Sequence, residues 1–219
     1  RPWFNDVPPR WQLGRNPAWG SVVLDASAPG YPAFVTDKII APLWDQGYRG
    51  FFLDTLDSWQ LVAKTPEARA RQQAGLIAAI RAIKARYPEA RLIFNRGFEI
   101  LPEVHALAWM VAAESLFSGH DHATNGVVPV SEADRAWLLA RLQEVKERYH
   151  LPVLVIDYVA AGQRERARQT AEKIRALGMV PWVTTPALDA LGVGAVEVLP
   201  RKVLVLWNPS ESSDIHYAE

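Results

Sequence analysis

The chain reads as an α/β protein wound as a (β/α)8 TIM-type barrel that lacks its first one or two strands. Three observations predict this. Short, almost wholly apolar runs alternate with longer stretches of helical periodicity, the pattern of parallel strands covered by helices. No GxGxxG follows an apolar run and no GxxxxGK[ST] occurs, so the nucleotide-binding reasons for preferring a doubly wound sheet are missing. The residues directly after the apolar runs are polar and chemically able, as they are at the carboxyl ends of barrel strands.

The elements follow in order. The opening "RPWFNDVPPRWQLGRNPAWG" is rich in Pro and Trp and reads as a loop. "SVVLDAS" (21–27) is a candidate strand, weakened by Pro29 and Pro32 just after it. "GFFLD" (50–54) is a short buried strand. A long helix is expected over 65–88, with Thr65 as N-cap, Pro66 in the first turn and Leu76, Ile77, Ile80 and Ile83 as its buried stripe. Pro88 ends it.

"RLIFNRG" (91–97) is the next strand, followed by helix around Glu99 to Ala106 and a strand over 109–114. "SEADRAWLLARLQEVKERY" (131–149) opens on Ser131 with Asp134 three residues later, a box-like cap. "LPVLVIDYV" (151–159) is the strongest strand signal of the chain. A helix over 163–178 closes at Gly178, and strands at 179–184 and 202–207 complete the set. That makes six strands, where a complete barrel has eight in about 250 residues. The expected domain is therefore one barrel spanning 1–219, an N-terminally truncated segment of a larger protein. An incomplete barrel leaves strand edges open to association.

Composition narrows the function. The 219 residues are 49% apolar and 22% charged, a globular balance. Lys plus Arg and Asp plus Glu both number 24, so no global field draws the chain to nucleic acid or anionic lipid. With no Cys, disulfides and thiolate zinc sites are excluded. No apolar run approaches the about 20 residues of a membrane span. The chain opens on Arg1 with no leader pattern, which suggests a processed or excised piece. Nine Trp is a high count, and Trp stacks well on sugar rings, although core and rim packing account for most such residues.

The strand ends carry the chemistry. Asp54 and Asp57 follow "GFFL"; Asn95, Arg96 and Glu99 follow "RLIF"; Glu114 follows "WMVAA"; Asp157 and Tyr158 follow "VLVI". Trp182, Thr184 and Thr185 follow "MVP", and Trp207 and Asn208 follow "VLVL". Carboxylates with Asn, Arg, Tyr and Trp on one rim suit a carbohydrate site, where two carboxylates act on the glycosidic bond.

The structural alternative for Asp54 is a loop or N-cap hydrogen bonder. Glu114, with apolar neighbours on both sides, is the stronger candidate, since desolvation would raise its pKa toward that of a general acid. Glu99 is its rival. Asp157 divides evenly between substrate binding and support of a neighbour. "GHDH" (119–122), with His120 and His122, reads as an exposed loop and not as a metal site. No metal is expected, and no G-x-S-x-G elbow supports an esterase.

Four stretches, "GYRGFFLDTLDSW", "RLIFNRGFEILPE", "WMVAAESLFSG" and "PVLVIDYV", occur in an order that resembles the endo-α-1,4-polygalactosaminidase-like glycoside hydrolases. The resemblance covers essentially the whole chain. It implies endo-cleavage of α-1,4-linked exopolysaccharide rich in galactosamine and N-acetylgalactosamine, without cofactor. The catalytic pair falls on Asp54, less securely Asp57, as nucleophile and Glu114 as acid/base. Asp57, Asn95, Arg96, Asp157, Tyr158 and Trp182 are the expected substrate contacts. Periplasmic residence and other exopolysaccharide-biosynthesis proteins as partners are also implied. The alternative is a non-catalytic carbohydrate-binding barrel that positions polymer for a partner domain. The family has strands ahead of "RPWF", one of them ending in a further acidic residue, and those are missing here.

Overall fold

The structure is a computed structural model that describes residues 2–17, 20–121, 124, 126–188 and 192–194. The expected strand at 202–207, its Trp207 and Asn208, and His122 lie outside these residues.

The opening is not the loop expected. Two 3-10 turns, Pro2–Asp6 and Pro9–Trp11, lead into β1 (Gln12–Arg15), which pairs antiparallel with β2 (Val22–Leu24). The candidate strand at 21–27 therefore exists, but it belongs to this separate two-stranded sheet and adds nothing to the barrel-type sheet. A helical stretch that the sequence did not signal follows: α1 (Tyr31–Phe34), a π-helical turn (Val35–Ile40) and α2 (Ala41–Asp45). Pro32 sits in the first turn of α1, where its missing N–H is not needed, whereas Pro42 lies inside the same unbroken helical run, directly after the π-helical turn.

The repeating part begins with β3 (Gly50–Leu53), α3 (Pro66–Arg86), β4 (Arg91–Asn95), α4 (Leu101–Val104) and β5 (Met110–Glu114). A hairpin of β6 (Ser118–Asp121) and β7 (Gly126–Pro129) precedes α5 (Glu132–Tyr149), β8 (Val153–Tyr158), α6 (Arg164–Ala176), β9 (Val180–Thr184) and the two-residue β10 (Val193–Gly194). The two long helices start where their caps lie. Thr65 Oγ1 accepts from the Ala68 N–H at 3.2 Å, and Ser131 Oγ accepts from the Asp134 N–H at 3.1 Å.

The main sheet runs β3-β4-β5-β8-β9-β10, with the first five strands parallel and in chain order. A doubly wound sheet would reverse its order at a switch point and carry helices on both faces. Here neither happens. Leu53, Phe94, Val111 and Val153 lie in one register row and so project to the same side. That side also holds Phe51, Leu92, Ala113, Val155 and Val183, packed in one core with Ile80 and Ile83 of α3, Leu101 and Val104 of α4, Leu138 and Leu142 of α5, and Ala171 and Ile174 of α6. In α3, Ile80 and Ile83 are buried, while Leu76 and Ile77 sit at the margin of that core.

All of these helices pack on one face, which is the winding of a (β/α) barrel. Among the described residues the sheet is an open arc, with β3 at one edge. Its other face carries half-buried Phe52, Ile93, Met110, Leu154 and Val180. At the carboxyl end of that same face the side chains turn polar.

The N-terminal sheet is fastened to α3 through polar groups. Buried Gln72 accepts from the Ala26 N–H at 2.9 Å and donates to Asp25 Oδ1 at 2.7 Å. Gly75, one turn on, lets the backbone of Ala26 approach: a Cβ there would stand 1.8 Å from the Ala26 carbonyl oxygen. Gly75→Ala is expected to destabilise the fold by about 1–3 kcal/mol, because backbone must move to admit the methyl group. Thermal unfolding checks this, and an unchanged melting temperature would show that the contact is not held in solution.

Candidate active site

Strand register decides which rim residues face together. Asn95 pairs with Ala112, and Glu114, two residues on, points to the same side. Asp54, one residue beyond Leu53 and thus opposite Asn95, shares it. So does Tyr158, which is two residues beyond Ile156, the partner of Glu114. Asp54, Asn95, Glu114 and Tyr158 therefore converge on the inner face.

Asp54 is exposed, and one of its oxygens is held twice. Oδ1 accepts from Asn95 Nδ2 at 2.8 Å and from the Thr55 N–H at 2.7 Å, while Oδ2 takes no hydrogen bond from the described residues. Thr55 and Arg96 both adopt φ of 57°, a left-handed conformation that costs a non-glycine residue on the order of 1 kcal/mol. Both follow directly on a rim residue. The Oδ1 atom of Asn95 is buried without a hydrogen-bond partner, an unsatisfied acceptor beside Asp54.

Glu114 has a different environment. Burial pushes its pKa up to about 7, and the negative charge of Asp54 adds to the rise. A hydrogen bond from the Tyr158 hydroxyl and the Arg96 guanidinium pull the other way. Burial, followed by the Glu114 charge, raises the Tyr158 pKa as well, so the phenol remains a donor. The Asp54 charge reaches both groups. Two strand spacings and a two-residue offset put the Asp54 and Glu114 backbones about 12 Å apart. That leaves room for inward side chains to approach the roughly 5 to 9.5 Å used by paired glycosidic carboxylates.

Arg96 clips this arrangement together. Its N–H continues the ladder to the Ala112 carbonyl at 2.8 Å, and Nη2 donates to the Glu114 carbonyl at 2.6 Å. Its other nitrogen lies 3.8 Å from Asp57 Oδ2. Burial raises the pKa of half-buried Asp57, with Arg96 opposing. Asp57 thus sits behind Arg96, whereas Asp54 faces the opening.

Asp157 requires a correction. It alternates with Val153 and Val155 and so points to the helix side, with 0% exposure. Oδ1 accepts from the Leu116 N–H at 2.6 Å, and Oδ2 from Phe117 and Ser118 at 2.8 and 3.2 Å. Burial lifts its pKa to about 6 against the pull of these three amides. Asp157 cannot touch substrate; it holds the segment that follows Glu114. Supporting a neighbour is the one of its two expected roles that the geometry matches.

Trp182 stands half-buried on the inner face of β9 with Gly192 packed against its indole. Glu99 is exposed, accepts from Gln60 Nε2 at 2.8 Å, and adds its charge to Asp57. His120 is not in an exposed loop but half-buried on β6, its ring 6.2 Å from that of Tyr158. No group of three or more potential ligands for a metal occurs among the described residues. Neither the hairpin that carries His120 nor the bond between Tyr158 and Glu114 has a signal in the sequence.

The model of Glycoside-hydrolase family GH114 matches residues 1–202. The chain belongs to family GH114. The glycoside hydrolase domain of PelA from Pseudomonas aeruginosa is 40% identical, with a TM-score of 0.78 over 87% of this chain and 74% of that one. Ega3 of Aspergillus fumigatus, solved in complex with galactosamine, is 15% identical with a TM-score of 0.57 over 86% and 70%, and so shares the fold. An uncharacterized protein of Deinococcus radiodurans is 28% identical over 193 residues, 84% of this chain. The chain spans 58% of that relative's length. The expected family is met, and with it the α/β fold.

Asp157→Asn is expected to lower stability by about 1–3 kcal/mol, because its amide sets a donor against the three donors that the carboxylate now accepts. Chemical denaturation reads the loss. Wild-type stability in this variant would show that the 116–118 segment is held by other means.

Proposed function

We propose that this GH114 member is an endo-acting glycoside hydrolase of α-1,4-linked, galactosamine- and N-acetylgalactosamine-rich exopolysaccharide of the Pel type. Asp54 is the nucleophile and Glu114 the acid/base. One observation carries the reading: half-buried Glu114, its pKa raised to about 7 by desolvation and by the Asp54 charge, shares the inner face of the sheet with that exposed carboxylate. Environments that separate two carboxyl groups in this way assign the acid and the nucleophile.

In the first step Asp54 Oδ2 bonds to the anomeric carbon. The glycosidic C–O bond breaks, and the leaving oxygen takes the Glu114 proton. In the second, Glu114 removes a proton from water, whose oxygen displaces Asp54 and restores both groups. Tyr158 orients Glu114, Asn95 orients Asp54, and Arg96 fixes the strand ends that bear them. Trp182 offers a ring face to a sugar.

The resemblance to PelA supports the substrate class, and the exposed carboxylates Asp54 and Glu99 suit the ammonium groups of galactosamine units. The resemblance to PelA supports periplasmic residence, a place within a longer protein, and work alongside other exopolysaccharide-biosynthesis proteins. No described helix is long and apolar enough to cross a membrane.

The test is release of reducing ends from a partly acetylated galactosaminoglycan. Glu114→Gln is expected to lower kcat by about 10²–10⁴, the worth of a positioned proton donor. Full activity in that variant would end the assignment, and polymer binding without turnover by the wild type would favour the non-catalytic barrel. Because Glu114 must be protonated to donate, kcat/KM should fall as pH rises through about 7. Tyr158→Phe removes an interaction that lowers this pKa, so the basic limb should move to higher pH. A limb that stays in place would separate Tyr158 from the acid.

A further inference from the structure

A second groove lies outside the catalytic rim, on the helix side of the sheet. It encloses about 260 Å³ between the turn after β4 and one face of α5, and Phe98, Glu99, Trp137, Arg141, Glu144 and Arg148 are among its lining. Positions 137, 141, 144 and 148 follow helical spacing and so form one stripe down α5.

Trp137 is 49% exposed, while Leu138, Leu142 and Val145 of the same helix are buried. Its ring is braced edge-on by Phe98, with centroids 6.1 Å apart at 80°. A braced, half-open indole presents a fixed apolar face, the surface on which the C–H face of a sugar packs. Below it, Glu144 bridges two guanidinium groups, Arg148 at 3.0 Å and Arg141 at 3.4 Å. This fork is held in place before any ligand arrives, and its remaining N–H groups suit hydroxyl and amide oxygens.

The charge balance differs from that of the catalytic rim. Two Arg offset Glu99 and Glu144, so the groove carries no net charge and, unlike the rim, no field that favours an ammonium. Glu99, one of its lining residues, also adds its charge to Asp57 at the rim. Since α5 starts at the rim, Trp137 lies about 8 Å down the side and the stripe extends roughly 16 Å in all.

We propose that this groove is a remote binding site for uncharged, N-acetylated hexosamine units of the polymer whose amine-bearing stretches are drawn to the acidic cleft. The proposal rests on the hydrolase reading above, but its occupancy is measurable without turnover. The site tethers a long chain beside the catalytic pair, and short fragments cannot reach both.

The experiment compares Trp137→Ala and Trp137→Phe on the full chain. N-acetylgalactosamine oligosaccharides are titrated by calorimetry into Glu114→Gln protein with and without Trp137→Ala. Hydrolysis of long polymer and of short oligosaccharide is measured in the otherwise wild-type protein. Trp137→Ala is expected to weaken oligosaccharide binding and to raise KM for long polymer about tenfold relative to its effect on short substrate, the worth of one lost ring contact. Trp137→Phe should restore most of both. Equal KM effects on long and short substrates, or equal binding of the fully deacetylated oligosaccharide at this groove, would overturn it. If the wild type cleaves nothing while Trp137-dependent binding persists, the hydrolase reading fails and the remote site stands.

Discussion

The register of the parallel strands is the constraint on which the rest of this structure depends. Leu53, Phe94, Val111 and Val153 share one row, and that row must face the helices to bury its apolar surface. A slip of one residue would turn every such side chain to the other face. Once the row is fixed, alternation sends Asp54, Asn95, Glu114 and Tyr158 inward together. The hydrophobic effect thus brings these side chains to one face, where they make their own hydrogen bonds. Asp157 shows the same rule from the other side, since its parity with Val155 directs it into the helix layer.

The site then differentiates two carboxylates by environment. Asp54 lies at the exposed edge, where Asn95 and the Thr55 amide occupy one oxygen and leave the other open. Glu114 sits half-buried between β4 and β8, next to a phenol that donates to it. Their mutual repulsion strengthens the difference, since it favours the neutral form of the more buried group. Arg96 moderates this effect and also ties the ends of β4 and β5 to Asp57. Each part therefore contributes to structure and to electrostatics at once.

Much of this was legible in the sequence because the relevant signals are local. Apolar runs marked β3, β4, β5, β8 and β9, and Thr65 and Ser131 marked the starts of α3 and α5. Where the signal was not local, reading failed. Pro29 and Pro32 look like breakers, yet Pro32 sits in a first helical turn that needs no N–H. The 21–27 strand is real, but only its pairing with β1 shows that it stands outside the main sheet. The side taken by Asp157 was undecidable from "VLVIDY", because a strand buried on both faces carries no polar alternation. Trp137 is one Trp among nine, and only its spacing from Arg141, Glu144 and Arg148 sets it apart, since that puts all four on one helical face.

The central claim is that Asp54 and Glu114 act on opposite sides of one glycosidic bond. A crystal structure of the Glu114→Gln variant with a bound galactosamine-containing oligosaccharide tests it most directly. A glycosidic oxygen is expected about 3 Å from the amide at 114, with the adjoining anomeric carbon turned toward Asp54 Oδ2. A chain lodged in the opening with its glycosidic bonds out of reach of both positions would contradict it.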